Sequence, residues 1–410
     1  MWSKPWKLAE GFLTGGGLIA TGIMLQISVG SINWGEFAYP VNVIILGAYL
    51  LLLGLLHLFR KKLYFVRWLG QYEAAVPALI YTIILTIVMG LVRQVPDTQQ
   101  AADPIGITKM LSFWPFVLIY LWTMTILGLV TLKHLSPFSW RSIPFLLNHT
   151  GLFIAVVCAT LGSADMQRLT MNVQIGRPEW RAVDKQGMLH ELPIAIALKE
   201  FTIDEYPPKL MLISNKTGEA LPKKQPQFVS LEKNTKQGRL LSWNLQIIKQ
   251  IDMAAAVNNA DSTRYVEWHT VGATHAAYVK ATSTTSGDEK TGWISCGSFL
   301  FPYQALKLNQ NCSLVMPDPE PERFASRVDI FTKTGEEFET TIEVNKPVKV
   351  GSWKIYQLNY DETKGRWSDI SVLELVSDPW LPFVYTGIGM MMLGAVSLFV
   401  TAGRRKEEKR

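Results

Sequence analysis

Cysteine is scarce in this 410-residue chain: Cys158, Cys296 and Cys312 are the full set. None forms Cys-x-x-Cys, and none precedes a histidine in a haem-attachment pattern. The chain is therefore neither a thioredoxin-like redox protein nor itself a c-type cytochrome. Charge is scarce as well. Charged residues make up 18% of the sequence, against about a quarter in soluble domains, and the deficit is concentrated in a few stretches. The basic residues flank apolar segments instead of forming a patch with interleaved aromatics, so the net charge of +6 gives no support to a nucleic-acid partner. There is no Gly-x-Ser-x-Gly, no phosphate-binding loop and no carboxylate pair inside an apolar run, so no catalytic residue can be named.

What is present is long apolar sequence. A bilayer core takes about 20 helical residues, and six segments qualify: 12–32, 41–59, 74–95, 111–132, 143–162 and 380–402. The first follows Lys4 and Lys7, is too long for a signal peptide and shows no convincing cleavage site, so it reads as a retained span. Its glycines, Gly15, Gly16, Gly17 and Gly22, permit close helix packing. Tryptophans 2, 6, 34, 68, 114, 140 and 380 sit near span ends, as an interfacial belt does.

Orientation follows from the flanking cations. Lys4 and Lys7, then Arg60, Lys61, Lys62 and Arg67, then Lys133 and Arg141, then Arg404, Arg405, Lys406, Lys409 and Arg410 all fall on one side if each span crosses once. The opposite loops hold Glu36, Asp97, Asp103 and a lone Lys109. Both termini are thereby expected in the cytoplasm of a multi-pass membrane protein.

The expected organisation is a five-helix membrane domain (1–163), an extracytoplasmic domain (164–378), and a last span with a basic tail (379–410). The middle region is polar, is punctuated by Gly and Pro, and alternates in strand fashion at 327–331, 338–344, 353–358 and 370–376, with a turn at Thr334-Gly335. Only 241–256 hints at a helix. The fold class is a polytopic α-helical membrane protein with a large, mainly antiparallel β domain, sandwich or barrel-like. A disulfide between Cys296 and Cys312 is possible there.

Six histidines remain to be placed. His149 lies about 9 Å along the axis of the fifth span, where an ionisable group is costly and marks a site or a helix–helix hydrogen bond. A neutral imidazole is also a haem-iron ligand. His57, at the end of the second span, suits the helix dipole; His134 sits beside Lys133 at a span end. His190, His269 and His275 lack regular metal-ligand spacing.

The runs 345–347 (Asn-Lys-Pro), 351–357 (Gly-Ser-Trp-Lys-Ile-Tyr-Gln), 360–361 (Tyr-Asp), 371–376 and 378–380 (Asp-Pro-Trp) resemble the end of the ResB (CcsB) domain. Residues 201–204 and 206–209 resemble its first strands, and His149-Thr150-Gly151-Leu152 resembles the opening of the helix that leads into it. The resemblance spans roughly 143–402. It implies cytochrome c maturation. The chain would be a non-autonomous subunit of a System II cytochrome c haem lyase, which with a CcsA/ResC-type membrane protein moves haem across the lipid bilayer and presents it to apocytochrome c. It further implies His149 as an axial haem ligand, with the second from the partner or, more weakly, from His57, and no metal beyond haem iron. Two alternatives stay open: a scaffold that never touches haem, and an unrelated transporter or sensor. The chain departs from the family in having five spans before the domain instead of three, and it lacks the Gly-Thr-x-x-Pro-Gln signature and the tryptophan-rich segment of the partner.

Overall fold

The computed structural model describes residues 2–96, 99–259 and 262–407. Asp97, Lys409 and Arg410, which enter the charge argument, lie outside them. The chain divides into two units, residues 1–167 with 377–410 and residues 168–376.

The first unit contains six helices long and apolar enough to cross a bilayer. They are α1 (Leu8–Val29), α2 (Val41–Phe59), α4 (Tyr72–Leu91), α5 (Trp114–Leu135), α6 (Ile143–Gly162) and α7 (Leu381–Glu407), with a short α3 (Tyr64–Leu69) between α2 and α4. The second and fifth spans fall where hydropathy places them. The fourth starts three residues late because Phe113 is extended and Pro115 opens the first turn, where its missing N–H costs nothing. α3 was not legible: it follows the Arg-Lys-Lys turn and packs Val66, Trp68 and Leu69 into the helical core.

Small residues set the helix spacing. On α1, a Cβ at Gly15 would meet the Tyr81 ring at 2.2 Å and one at Gly22 would meet the Pro115 backbone at 2.6 Å, whereas Gly17 faces open space. Gly11, outside the sequence argument, makes an equally close approach to the Glu73 carbonyl, at 2.5 Å. Hydroxyls add interhelical bonds: Tyr120 with Thr160 at 2.7 Å and Thr82 with Thr123 at 2.9 Å. Trp68 departs from the interfacial belt. It is fully buried and packs edge-on against Trp6, 5.2 Å between ring centres.

One carboxylate ties three helix ends together. Asp165, just past α6, accepts from the Asn42 amide (2.7 Å), the Tyr39 N–H (2.6 Å) and the Trp380 indole (2.6 Å). Burial pushes its pKa up, but the three donors outweigh this and hold it below the ordinary carboxylate value. Asn42 is wholly buried and keeps its second donor bond, to the Leu161 carbonyl, so Asp165→Ala leaves one amide hydrogen, the Tyr39 N–H and the Trp380 indole without this acceptor and is expected to cost about 1–3 kcal/mol, read as a lower thermal midpoint in detergent. Because the folded pKa is depressed, this stabilisation is complete above the unfolded carboxylate pKa, near 4, and is lost as pH falls further. An Asp165→Ala protein should lack that acid-side loss.

The second unit is all β. Its strands are β1 (Gln167–Gln174), β2 (Pro178–Val183), β3 (Leu189–Glu205), β4 (Lys209–Ser214), β5 (Phe228–Ser230), β6 (Gln237–Leu240), β7 (Trp243–Asn259), β8 (Ser262–Glu267), β9 (Thr274–Ser283), β10 (Glu289–Ser295), β11 (Leu306–Lys307), β12 (Cys312–Val315), β13 (Pro321–Thr332), β14 (Glu337–Glu343), β15 (Val348–Val350), β16 (Trp353–Tyr360) and β17 (Ile370–Ser377). An eight-stranded sheet runs β14-β13-β3-β2-β1-β17-β16-β15. One face of every strand feeds a single core around Ile196, Leu198, Val328, Ile355 and Leu373, and its edge strands β14 and β15 approach one another, so this half is barrel-like. The other half is a sandwich: a five-stranded sheet (β10-β9-β7-β6, with β8 on β7) and a four-stranded sheet (β11-β12-β4-β5) enclose Leu212, Leu245, Val279 and Leu314.

The strands read at 327–331, 338–344, 353–358 and 370–376 are β13, β14, β16 and β17. Gly351 takes φ +58° in the turn between β15 and β16, a conformation open to glycine. Gln357 is buried in the barrel core, accepting from Ser326 (2.5 Å) and Ser371 (2.9 Å), which satisfies its carbonyl. One expectation fails. Residues 241–256 are not helical; from Trp243 onward they lie in β7, whose pairing with β9 is interrupted by bulges at Ile247/Lys249 and Ile251/Ala254. Each bulge shifts the face assignment by one residue and hides the period-2 pattern. Residues 201–204 lie at the end of β3, with β1 and β2 before them.

Candidate functional site

His149 sits on α6, six residues after Ile143. Its Nδ1 lies 3.0 Å from the Phe145 carbonyl one turn back. A carbonyl only accepts, so Nδ1 carries the proton and Nε2 keeps its lone pair. That is the tautomer a metal-binding imidazole needs, with the ring orientation set by the second hydrogen bond. His134 on α5 repeats the arrangement, with Nδ1 2.9 Å from the Val130 carbonyl. The Phe145 ring stacks on His149 at 3.7 Å and on His134 at 4.1 Å between centres. Two rings stacked this closely on one phenyl occupy its opposite faces, so α5 and α6 present two imidazoles with Phe145 between them.

The opposite face of α6 explains the rest of the His-x-Gly motif. A Cβ on Gly151 would stand 2.6 Å from the Gly387 carbonyl of α7, and one on Gly387 would meet Ala155 N at the same distance. α6 and α7 are thus in backbone contact on one face, while His149, two residues and about 200° away, is turned toward α5.

His57 is not brought to His149. The Arg60 guanidinium lies against its ring nitrogens. Of the remaining histidines, His190 pairs with Asp184 at 2.8 Å, and His269 is exposed in the loop after β8. Among the described residues no group of three His, Cys, Asp or Glu could hold a metal ion.

His275 is the one the sequence undervalued. It lines a cavity of about 490 Å³ in the β domain. Arg366 donates to Glu205 (3.1 Å) with the same amino group that lies 2.9 Å from His275 Nε2, and its other amino group reaches the Ala273 carbonyl (3.2 Å). The His275 Nε2 also lies 3.1 Å from Glu205 Oε2, and its Nδ1 is buried without a hydrogen-bond partner among the described residues. Phe299, Phe301, Tyr303, Tyr360 and Trp367 add aromatic surface around this polar floor, the composition of a binding cleft. Glu205, His275 and Arg366 stand far apart in the chain, so no spacing signal joins them.

Cys296 is on the wall of the same cavity, its Sγ 3.3 Å from Thr274 Oγ1. Cys312 is buried in the sandwich core on β12. Both are free thiols, as is Cys158, so the structure holds no Cys296–Cys312 disulfide. Burial pushes the thiol pKa of Cys296 and of Cys312 up, which keeps both protonated and poorly nucleophilic at neutral pH.

No curated protein matches the chain. The segment forming β13 to β16, together with the 296–303 and 360–367 walls of the cavity, belongs to a stretch that does find a family: residues 293–370 match the ResB-like family, which bears out over that stretch the resemblance read from the sequence and points in general to cytochrome c biogenesis.

Proposed function

We propose that this chain is the haem-handling subunit of a System II cytochrome c synthase, acting with a CcsA/ResC-type membrane protein. The observation that carries the reading is His149, whose Nδ1–H is anchored to its own helix and whose Nε2 lone pair is free within a span that resembles the family's. Haem is the substrate. His149 supplies one axial nitrogen, the partner the second, since Arg60 covers His57. In this reading the termini are cytoplasmic and the β domain is periplasmic, as the basic span ends require. The cavity built around Arg366 then receives the apocytochrome segment, its aromatic walls taking side chains and its Glu205–Arg366 pair the polar backbone. Burying reduced iron in a dry span while thiols are presented in a shielded cleft keeps both reactants from oxidant.

The test has two arms. Absorption spectra of the chain co-purified with its partner should show a haem Soret band, and reporter fusions after residues 165 and 376 should be active only on the periplasmic side. A complex that assembles stably but never carries haem would leave the chain a scaffold; a cytoplasmic β domain would overturn the haem route itself.

A further inference from the structure

A second cavity, of about 520 Å³, lies at the basic end of the helical unit. Its walls come from the end of α2, the turn after it, α3 and the last turn of α5. Arg60, Lys61, Arg67 and Lys133 line it, and no carboxylate does. Their polar contacts orient them without neutralising them: Arg60 reaches the Ser136 carbonyl at 3.3 Å and Lys133 the Gly70 carbonyl at 3.3 Å. Among the described residues none of the four has an ion pair. Glu73, two residues past the cavity-lining Gln71, is not on its wall, and Glu10 accepts the N–H of Trp2 and Lys7.

Orientation rules explain why cations occur at this end. They do not explain why four converge on one cavity while Lys7, Lys62 and Arg141 stay out of it. Like charges gathered around a shared space repel unless an anion fills it. The cavity also has an apolar side, Val66 and Leu129, both nearly fully buried. It stands at the ends of two spans, at headgroup depth.

We propose that this cavity binds the phosphate headgroup of an anionic phospholipid, with the acyl chains running along α2 and α5. The cations meet the phosphodiester, and the apolar wall meets the glycerol and upper chain. His57 is also on its wall, and the proposal does not rest on His149.

The test uses the full chain in nanodiscs of phosphatidylcholine doped with phosphatidylglycerol, with retained lipid counted by native mass spectrometry. The wild type should enrich phosphatidylglycerol over phosphatidylcholine, and high salt should weaken the enrichment. Each of Arg67→Gln and Lys133→Gln should lower retention about fivefold, with Arg141→Gln, at the same end but outside the cavity, unchanged. Equal loss in Arg141→Gln would mean diffuse surface charge and would overturn the site, as would absence of enrichment in the unmodified protein. Displacement of the lipid by added haem, with Arg67→Gln losing haem affinity instead, would assign the cavity to porphyrin carboxylates and overturn the phospholipid assignment.

Discussion

His149→Ala is expected to lower the haem content of the co-purified complex by about a hundredfold or more, while the complex still assembles. The size follows from the position of the residue: loss of outer-shell partners alone costs metal sites about 10–100-fold, and this change removes the ligating nitrogen itself. The side chain is half-buried, and its hydrogen bond and ring contact are both local, to Phe145 one turn back, so the other helices lose little. Imidazole added to the His149→Ala complex should restore part of the Soret band, an effect a purely structural histidine would not produce. His57→Ala should leave haem content unchanged, because Arg60 already covers that ring. Unchanged haem in His149→Ala would remove the ligand assignment and leave the scaffold reading.

Gly151→Leu is expected to have the largest effect on folding. Its first side-chain carbon would already stand 2.6 Å from the Gly387 carbonyl and 2.9 Å from Met391 N. These are backbone atoms, which cannot swing aside, so α6 and α7 must part along their length. Overpacking a well-filled interior costs about 1–3 kcal/mol and more where the backbone is the obstacle. In a bilayer the lost helix contact is not replaced by a hydrophobic driving force. The expected result is loss of monodisperse protein in detergent, with Gly151→Ala folded but lower in thermal midpoint. Gly17→Leu is the matched control, since nothing lies within 4 Å of that position. It should leave yield and midpoint unchanged. Equal tolerance at both glycines would mean that α6 and α7 are not in the backbone contact described.

The two substitutions probe opposite faces of one motif. The His-x-Gly pattern at 149–151 places a polar, ligand-capable ring on one side of α6 and an absent side chain on the other. Only the helical turn between them makes one residue functional and the other architectural. A similar division holds in the β domain, where the family-matching stretch contributes both the buried Trp353, Ile355 and Gln357 of the core and the Arg366 of the cavity.

The spans, the β character of residues 164–378 and the place of His149 within its helix were determined by the sequence itself, because each is a local property. Hydropathy over about 20 residues, alternation over a few and the position of one polar residue in an apolar run need no knowledge of what packs against them. The pairing of His149 with His134 across Phe145, the strand nature of 241–256 and the convergence of Glu205, His275 and Arg366 were decided only by the tertiary structure. Each depends on register between segments distant in the chain, and bulges, helix rotation and loop closure set that register with no trace in residue spacing.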